Sequence, residues 1–322
     1  MPAEVKPARQ VGLDALRGLA MVIMALDHVR EFFHSGAQAF QPDDLARTTT
    51  AIFMTRWITH FCAPVFMLTA GASAWLWQRR AGASPAELSA FLLKRGLWLV
   101  VLDLTVLRFG MNFTGQVPVV ILNVLWALGW SMVVLAGISR LPRGAILGLC
   151  AAVIGLHNLT DGVQAGWWWT VLHQPAVLRL GLYTIISGYS LIPWFAVMGL
   201  GFGIGPWFER RGRRFLWSGL AACAGFLALR GWNVYGDPSP WTGSVLSFLR
   251  ATKYPPSLEF LLMTLGPALV LLAWLKVRGG RGLGVLVTFG RVPLFYFLGH
   301  FYLAHILDRS SLVYFWQVST QQ

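Results

Sequence analysis

Charged residues are scarce in this chain. Asp, Glu, Lys and Arg make up 12% of its 322 residues, whereas hydrophobic residues make up 56%. Soluble globular proteins carry about 25% charged residues, and the mean hydropathy of +0.59 points the same way. The composition excludes a soluble enzyme and a disordered chain. It predicts an all-α polytopic transmembrane helical bundle, with the lipid bilayer as its surroundings.

Cysteine is also scarce, and metal-binding motifs are missing. Cys62, Cys150 and Cys223 stand alone inside apolar runs, without a CxxC pair, which excludes a disulfide-rich secreted module and a cysteine-based redox motif. No HExxH or other ligand spacing occurs, so neither a metal nor haem is expected. Several histidines in apolar segments nevertheless keep a haem- or quinone-linked redox protein open as an alternative.

Acidic residues are half as frequent as basic ones, 13 against 26, which gives a net charge of +13. The basic residues form short clusters between apolar runs, and these clusters alternate along the chain with connections that hold most of the loop acids. This arrangement follows the positive-inside rule. It predicts an integral membrane protein with a cytoplasmic amino terminus and no nucleic-acid partner. The basic clusters are Lys6 and Arg9; Arg79, Arg80, Lys94 and Arg95; Arg140 and Arg143; Arg210, Arg211, Arg213 and Arg214; and Lys276, Arg278 and Arg281.

Nine apolar segments approach the roughly 20 residues that a spanning helix needs. No repeat or linker separates them, so residues 1–322 are expected to form a single domain, and assembly into an oligomer stays open. The long connections 34–56, 161–187 and 234–256 are rich in Trp, Tyr, Pro and Gly. They form either an aromatic belt at the membrane interface or a roof over an extracytoplasmic cavity. The predicted spans are 12–33, 57–78, 96–113, 119–139, 144–160, 188–207, 215–233, 257–275 and 284–306.

The first span contains an unusual number of ionisable residues, which are costly in lipid and often functional. Arg17 and His28 are eleven residues apart, so they share one face of a helix over about 16 Å. This spacing suits a long donor with an anionic head at Arg17 and its reacting end at His28. The alternative is that Asp14–Arg17 and Asp27–Arg30 are neutralising pairs that stabilise insertion.

Four segments carry a family resemblance: 13–30 (LDALRGLAMVIMALDHVR), 55–66 (TRWITHFCAPVF), 253–257 (KYPPS) and 289–294 (FGRVPL). They resemble the bacterial branch of the heparan-alpha-glucosaminide N-acetyltransferase-like family, over most of the chain, which implies a bacterial inner membrane protein. The resemblance implies transfer of an acyl group, normally acetyl, from cytoplasmic acyl-CoA to a hydroxyl or amine of an extracytoplasmic sugar or glycan. It also implies a tenth span in a complete chain.

The resemblance implies that His28 is catalytic, as in the wider transmembrane acyltransferase group, with His34 as a rival because the lysosomal branch places its histidine just beyond the first helix. The working hypothesis has Arg17, Lys94 and Arg95 hold the CoA phosphates, while His28 acts as general base or acyl carrier. His60 and Asp27 orient the site. A transporter or flippase with an intramembrane Asp/His/Arg pathway is the alternative function. The residues expected at the oxyanion or the substrate are Arg30, Arg56, His157, Asn158, Tyr254, Ser257, Arg291 and His300.

Overall fold

The computed structural model describes residues 9–34, 39–113, 118–209, 212–279 and 282–307. Four features of the sequence interpretation lie outside these ranges. They are Lys6, the pair Arg210-Arg211, Arg281 and the polar tail 310–322.

Helices account for most of the described chain. A π-helical stretch, Asp103–Leu107, follows the fourth helix, and 3-10 turns cover His157–Thr160 and Gly205–Glu209. The α-helices are α1 (Val11–Phe33), α2 (Thr50–Thr59), α3 (Cys62–Ala81), α4 (Pro85–Leu102), α5 (Arg108–Asn112), α6 (Val124–Ile138), α7 (Arg143–Leu156), α8 (Trp167–Leu172), α9 (Trp194–Gly203), α10 (Arg213–Trp232), α11 (Val245–Leu249), α12 (Leu258–Arg278), α13 (Gly284–Arg291) and α14 (Pro293–Leu307).

A small sheet corrects the all-α prediction. Strand β1 (Val119–Leu122) pairs in parallel with β3 (Tyr183–Ser187), and β2 (Val177–Leu180) pairs with β3 as an antiparallel hairpin. The run Val-Val-Ile in β1 is β-branched and therefore suits a strand. For this reason the fourth predicted span begins five residues before helix α6, which starts at Val124.

Among the described residues, four helical segments are long and apolar enough to cross a membrane: 50–81, 143–160, 213–232 and 258–278. A fifth is added if α13 and α14, bent by 91° at Pro293, make one crossing. Helix α1 matches its predicted span, but its five charged residues remove it from this apolar set. The nine spans and the cytoplasmic amino terminus therefore stay predictions.

The other predicted boundaries shift for local reasons. Helix α4 begins at Pro85, eleven residues before its predicted span, because Ser84 and Glu87 form a capping box there. The sixth span, 188–207, contains the ten-residue helix α9, preceded by a turn.

Close helix crossings hold α1 in the core. A Cβ atom on Gly18 would lie 1.8 Å from the carbonyl oxygen of Leu286, and one on Gly290 would lie 1.8 Å from that of Asp14. Only glycine permits this backbone contact between α1 and α13. Helix α12 is mostly buried as well, whereas α7 and α10 are mostly exposed, as expected of helices that face lipid.

Candidate active site along the first helix

One face of α1 borders three cavities in succession. Asp14, Arg17, Met21, Met24 and His28 recur every three or four residues and therefore lie on one side of the helix. The cavities measure about 520, 390 and 230 Å³. We call them the basic mouth, the middle chamber and the histidine cavity.

The basic mouth lies at the amino-terminal end of α1 and is lined by Arg9, Arg17 and Arg80. Arg9 Nε pairs with Asp14 Oδ2 at 2.6 Å. Arg17 Nη2 donates to Ser73 Oγ at 2.6 Å, and its Nη1 donates to the Gly290 carbonyl at 3.2 Å. Arg17 therefore ties α1 to α3 and α13. Its Nη1 also lies 3.7 Å from Asp14 Oδ1, so Arg9 and Arg17 share one carboxylate and the mouth keeps a net positive charge.

The middle chamber is largely apolar and shares lining residues with both neighbours. Arg17 borders it and the mouth, whereas Phe66 borders it and the histidine cavity. Arg95 lies at its wall, with its guanidinium 5.2 Å from the Phe91 ring centroid. Lys94, the third expected phosphate ligand, is exposed and lines none of these three cavities.

His28 lines the histidine cavity and forms a hydrogen-bonded pair with His300, and the contacts of the pair define where each ring carries its proton. His28 Nδ1 lies 2.7 Å from His300 Nε2, and His300 Nδ1 lies 2.7 Å from the Tyr296 carbonyl oxygen. A carbonyl oxygen only accepts, so His300 carries its proton on Nδ1 and accepts at Nε2 from His28 Nδ1–H. This assignment leaves an unprotonated lone pair on Nε2 of His28.

Asp27 joins the arginines that were expected at the oxyanion. Its carboxylate pairs with Arg30, accepts from Arg56 Nη1 at 2.6 Å and accepts from Thr59 Oγ1 at 3.0 Å. Asp27 is buried, so these partners compensate the cost of burying its charge. The cluster fixes α1 against α2, and it commits both arginines to a carboxylate.

Another part of the wall of the histidine cavity comes from the turn before α12. Lys253 and Tyr254 line the histidine cavity together with Tyr189. The Tyr254 and Tyr189 hydroxyl oxygens lie 3.5 Å apart, and Lys253 Nζ lies 5.1 Å from the Tyr254 ring centroid. Desolvation opposes ionisation of Tyr254, but the charges of Lys253 and Arg56 outweigh it and lower the pKa of its hydroxyl.

Three residues expected at the substrate hold this turn instead of lining the cavity. His157 Nε2 lies 2.8 Å from the Pro256 carbonyl oxygen. Asn158 Oδ1 accepts from the Leu258 backbone N–H at 2.8 Å, and Ser257 Oγ donates to Asp237 at 2.6 Å. Their contacts fix the position of Lys253 and Tyr254.

Other expected residues are not brought to the three cavities. His34 ends α1, and Arg291 is exposed at the end of α13. His60 is buried beside Phe260, with ring centroids 5.3 Å apart, and neither of its ring nitrogens has a hydrogen-bond partner among the described residues. Arg30 pairs with Asp27 but does not itself line the histidine cavity.

Several site residues were missed from the sequence. Glu31 lines the histidine cavity and stands three positions after His28, so helical periodicity could have found it. Lys253 belongs to the KYPPS segment, which was noted only as a resemblance. Arg9 and Arg80 were noted as loop charges, and Tyr189 carried no sequence signal.

Comparison with known proteins adds the family. A search among curated proteins found no match. Residues 9–237, more than half of the chain, match the family described as heparan-alpha-glucosaminide N-acetyltransferase, catalytic. The matched range contains Arg17, His28 and the Asp27 cluster. The chain therefore belongs to the heparan-alpha-glucosaminide N-acetyltransferase catalytic family.

Proposed function

We propose that this protein is a membrane-embedded acyltransferase that takes an acyl group, normally acetyl, from acyl-CoA at the basic mouth. It delivers the group at the histidine cavity to a hydroxyl or amine of a sugar or glycan. One observation carries the proposal. Three cavities follow one face of α1, with arginines at one end and the His28–His300 pair at the other.

The length of the path supports CoA as the donor. Eleven residues of helix separate Arg17 from His28, about 16 Å. The pantetheine arm has about twelve bonds between its phosphate ester oxygen and its sulfur, and an extended chain covers about 3.6 Å per three bonds, so the arm spans about 14 Å. Phosphates at the mouth would thus place the thioester beside His28.

The tautomer assigned to His28, with its proton on Nδ1 and a free lone pair on Nε2, supports a role in acyl transfer. His28 Nε2 takes the proton of the acceptor as its oxygen or nitrogen attacks the thioester carbonyl carbon. The carbonyl π electrons move to oxygen. When they return, the C–S bond breaks and the CoA thiolate takes the proton from His28. If Nε2 itself attacks first, the C–S bond breaks, CoA leaves as its thiolate and an N-acyl-imidazolium forms. The acceptor then attacks the acyl carbon, the C–N bond breaks, and the acceptor's proton passes through the freed Nε2 to the thiolate.

The alternating basic clusters support the orientation. They favour a basic mouth in the cytoplasm, where acyl-CoA is made, and a histidine cavity on the far side of a bacterial inner membrane. Lys253, Tyr254 and Glu31 then face the acceptor. His300 acts as a positioning residue, and Arg17 holds both the mouth and the α1–α13 contact.

The test compares His28→Ala with His34→Ala in detergent-purified protein. We expect His28→Ala to bind acetyl-CoA normally and to lose at least about 100-fold in kcat for acetyl-CoA hydrolysis and transfer, the lower range for a lost general base. His34→Ala should keep its rate, since His34 lines none of the three cavities.

Two results would contradict the proposal. A folded His28→Ala protein with unchanged transfer removes His28 from the mechanism. If the wild-type protein binds no acyl-CoA, then acyl-CoA is not its donor, and the transporter alternative should be tested next.

A further inference from the structure

Acyl transfer creates a negative charge on the substrate, and the His28–His300 pair does not stabilise it. When the thioester carbonyl is attacked, its oxygen becomes an oxyanion, and enzymes stabilise it with donors fixed in advance. Arg30 and Arg56 were expected to do this. Both are paired with Asp27, and the negative charge of that carboxylate weakens their electrostatic attraction for a second anion.

Lys253 is a cation on the cavity wall without such a partner. It is 8% exposed and lines the histidine cavity. Within the described residues, no carboxylate lies within the 4 Å of an ion pair with its ammonium. The Asp27 and Glu31 carboxylates line the same cavity and balance this charge at longer range, but the Lys253 ammonium is committed to neither in a direct ion pair. Ionisable groups buried in membrane proteins in this way mark functional sites.

The turn that carries Lys253 is held from several sides. The backbone of Lys253 pairs with that of Pro256 in an isolated antiparallel β-bridge. Asp237 Oδ2 accepts from the Thr252 backbone N–H at 2.7 Å and from Ser257 Oγ at 2.6 Å. Because its backbone is fixed before substrate binds, little reorganisation is needed when charge develops.

We infer that the Lys253 ammonium, assisted by the Tyr254 hydroxyl, stabilises the oxyanion of the tetrahedral intermediate. The inference rests on the proposed acyltransferase function. Lys253 keeps its proton throughout. The charge that it stabilises forms when the carbonyl π electrons move to oxygen and disappears when the C–S bond breaks. The cavity, about eight water volumes at ~30 Å³ each, is small enough for a wall residue to reach the reacting carbonyl.

The experiment replaces the ammonium while keeping the length of the side chain. Lys253→Met should lower kcat about 100- to 1,000-fold, the effect of removing one oxyanion donor, with acetyl-CoA affinity unchanged. Tyr254→Phe should lower kcat about tenfold, in line with one lost hydrogen bond. Arg250→Met is the matched control, because Arg250 is exposed on the same connection and lines none of the cavities.

A rescue experiment separates charge from structure. Methylammonium added to Lys253→Ala should restore activity in a saturable way, and an uncharged molecule of similar size, such as methanol, should not. If Lys253→Met does not fold, Lys253→Gln and Tyr254→Phe provide the same comparison.

The outcomes are distinguishable. A folded Lys253→Met protein with wild-type kcat, or an equal loss in Arg250→Met, overturns the inference while an inactive His28→Ala still upholds the acyltransferase function. A wild-type protein without acyl-CoA turnover overturns both.

Discussion

His300 determines which nitrogen of His28 holds the proton. Its Nε2 accepts from His28 Nδ1–H over 2.7 Å, and its own Nδ1 is fixed by the Tyr296 carbonyl. His300→Ala removes the acceptor, so the reactive Nε2 of His28 is unprotonated in only part of the molecules. We expect a fall in kcat of about tenfold, or ~1.4 kcal/mol, and an altered pH dependence of kcat. His300→Gln should recover part of the rate, because its amide oxygen can accept the same proton.

His305 offers the control for this experiment on the same helix. Its Nδ1 lies 2.7 Å from the Gly110 carbonyl oxygen, and it lines none of the three cavities. His305→Ala should lower thermal stability but leave kcat and its pH dependence unchanged. A His300→Ala enzyme with the wild-type pH profile would show that the histidine contact has no catalytic role.

At the scale of elements, the crossing of α1 and α13 depends on two glycines. A methyl group on Gly290 meets the Asp14 carbonyl at 1.8 Å, and backbone cannot move aside as a flexible side chain can. Gly290→Ala should therefore destabilise the protein by about 1–3 kcal/mol, the usual cost of overpacking. It should also weaken acetyl-CoA binding, since Arg17 donates to the Gly290 carbonyl. Both effects are measurable by thermal unfolding with and without acetyl-CoA.

Gly299→Ala in α14 is the matched control. A Cβ atom there meets no atom within 4 Å, so the change should be neutral or should stabilise the helix by up to about 1 kcal/mol. Equal melting temperatures for both variants would contradict the close crossing.

The elements of the sequence were predictable to different degrees. Helix α1 follows from its length and periodicity, and its bounds of 11–33 differ from the prediction by one residue. Strand β1 was predicted as the start of the spanning helix 119–139, because four β-branched and aliphatic residues are also compatible with a helix. The bend at Pro293 was also missed, because proline can begin a new helix as well as kink one.

The site was less predictable than the helices, because it depends on distant pairs. The spacing of Arg17 and His28 is local and could be derived from one helix. The contact of His28 with His300 joins residues 272 positions apart, and periodicity does not encode such a pair. Lys253 was passed over for the same reason, since its buried position in the wall of the histidine cavity becomes visible only in the folded chain.

At the scale of the whole molecule, the proposed transfer requires the middle chamber to connect two sites that bind different parts of the donor. Ala70 lines this chamber but neither the basic mouth nor the histidine cavity, and Ala70→Trp would fill part of the chamber's 390 Å³. We expect the variant to bind adenosine 3′,5′-bisphosphate, which has the phosphates but no pantetheine arm, as tightly as wild type. Turnover of acetyl-CoA should fall at least tenfold, because the arm no longer reaches His28.

Ala145→Trp controls for the added bulk, because Ala145 is exposed on α7 and lines none of the three cavities. Calorimetric binding and a thiol-release assay on the same preparations measure both quantities. Wild-type turnover in Ala70→Trp would mean that the donor reaches His28 by another path, whereas loss of bisphosphate binding would mean that the basic mouth is not an independent phosphate site. The basic mouth and the histidine cavity act in sequence on one donor only if Ala70→Trp abolishes turnover while bisphosphate binding is retained.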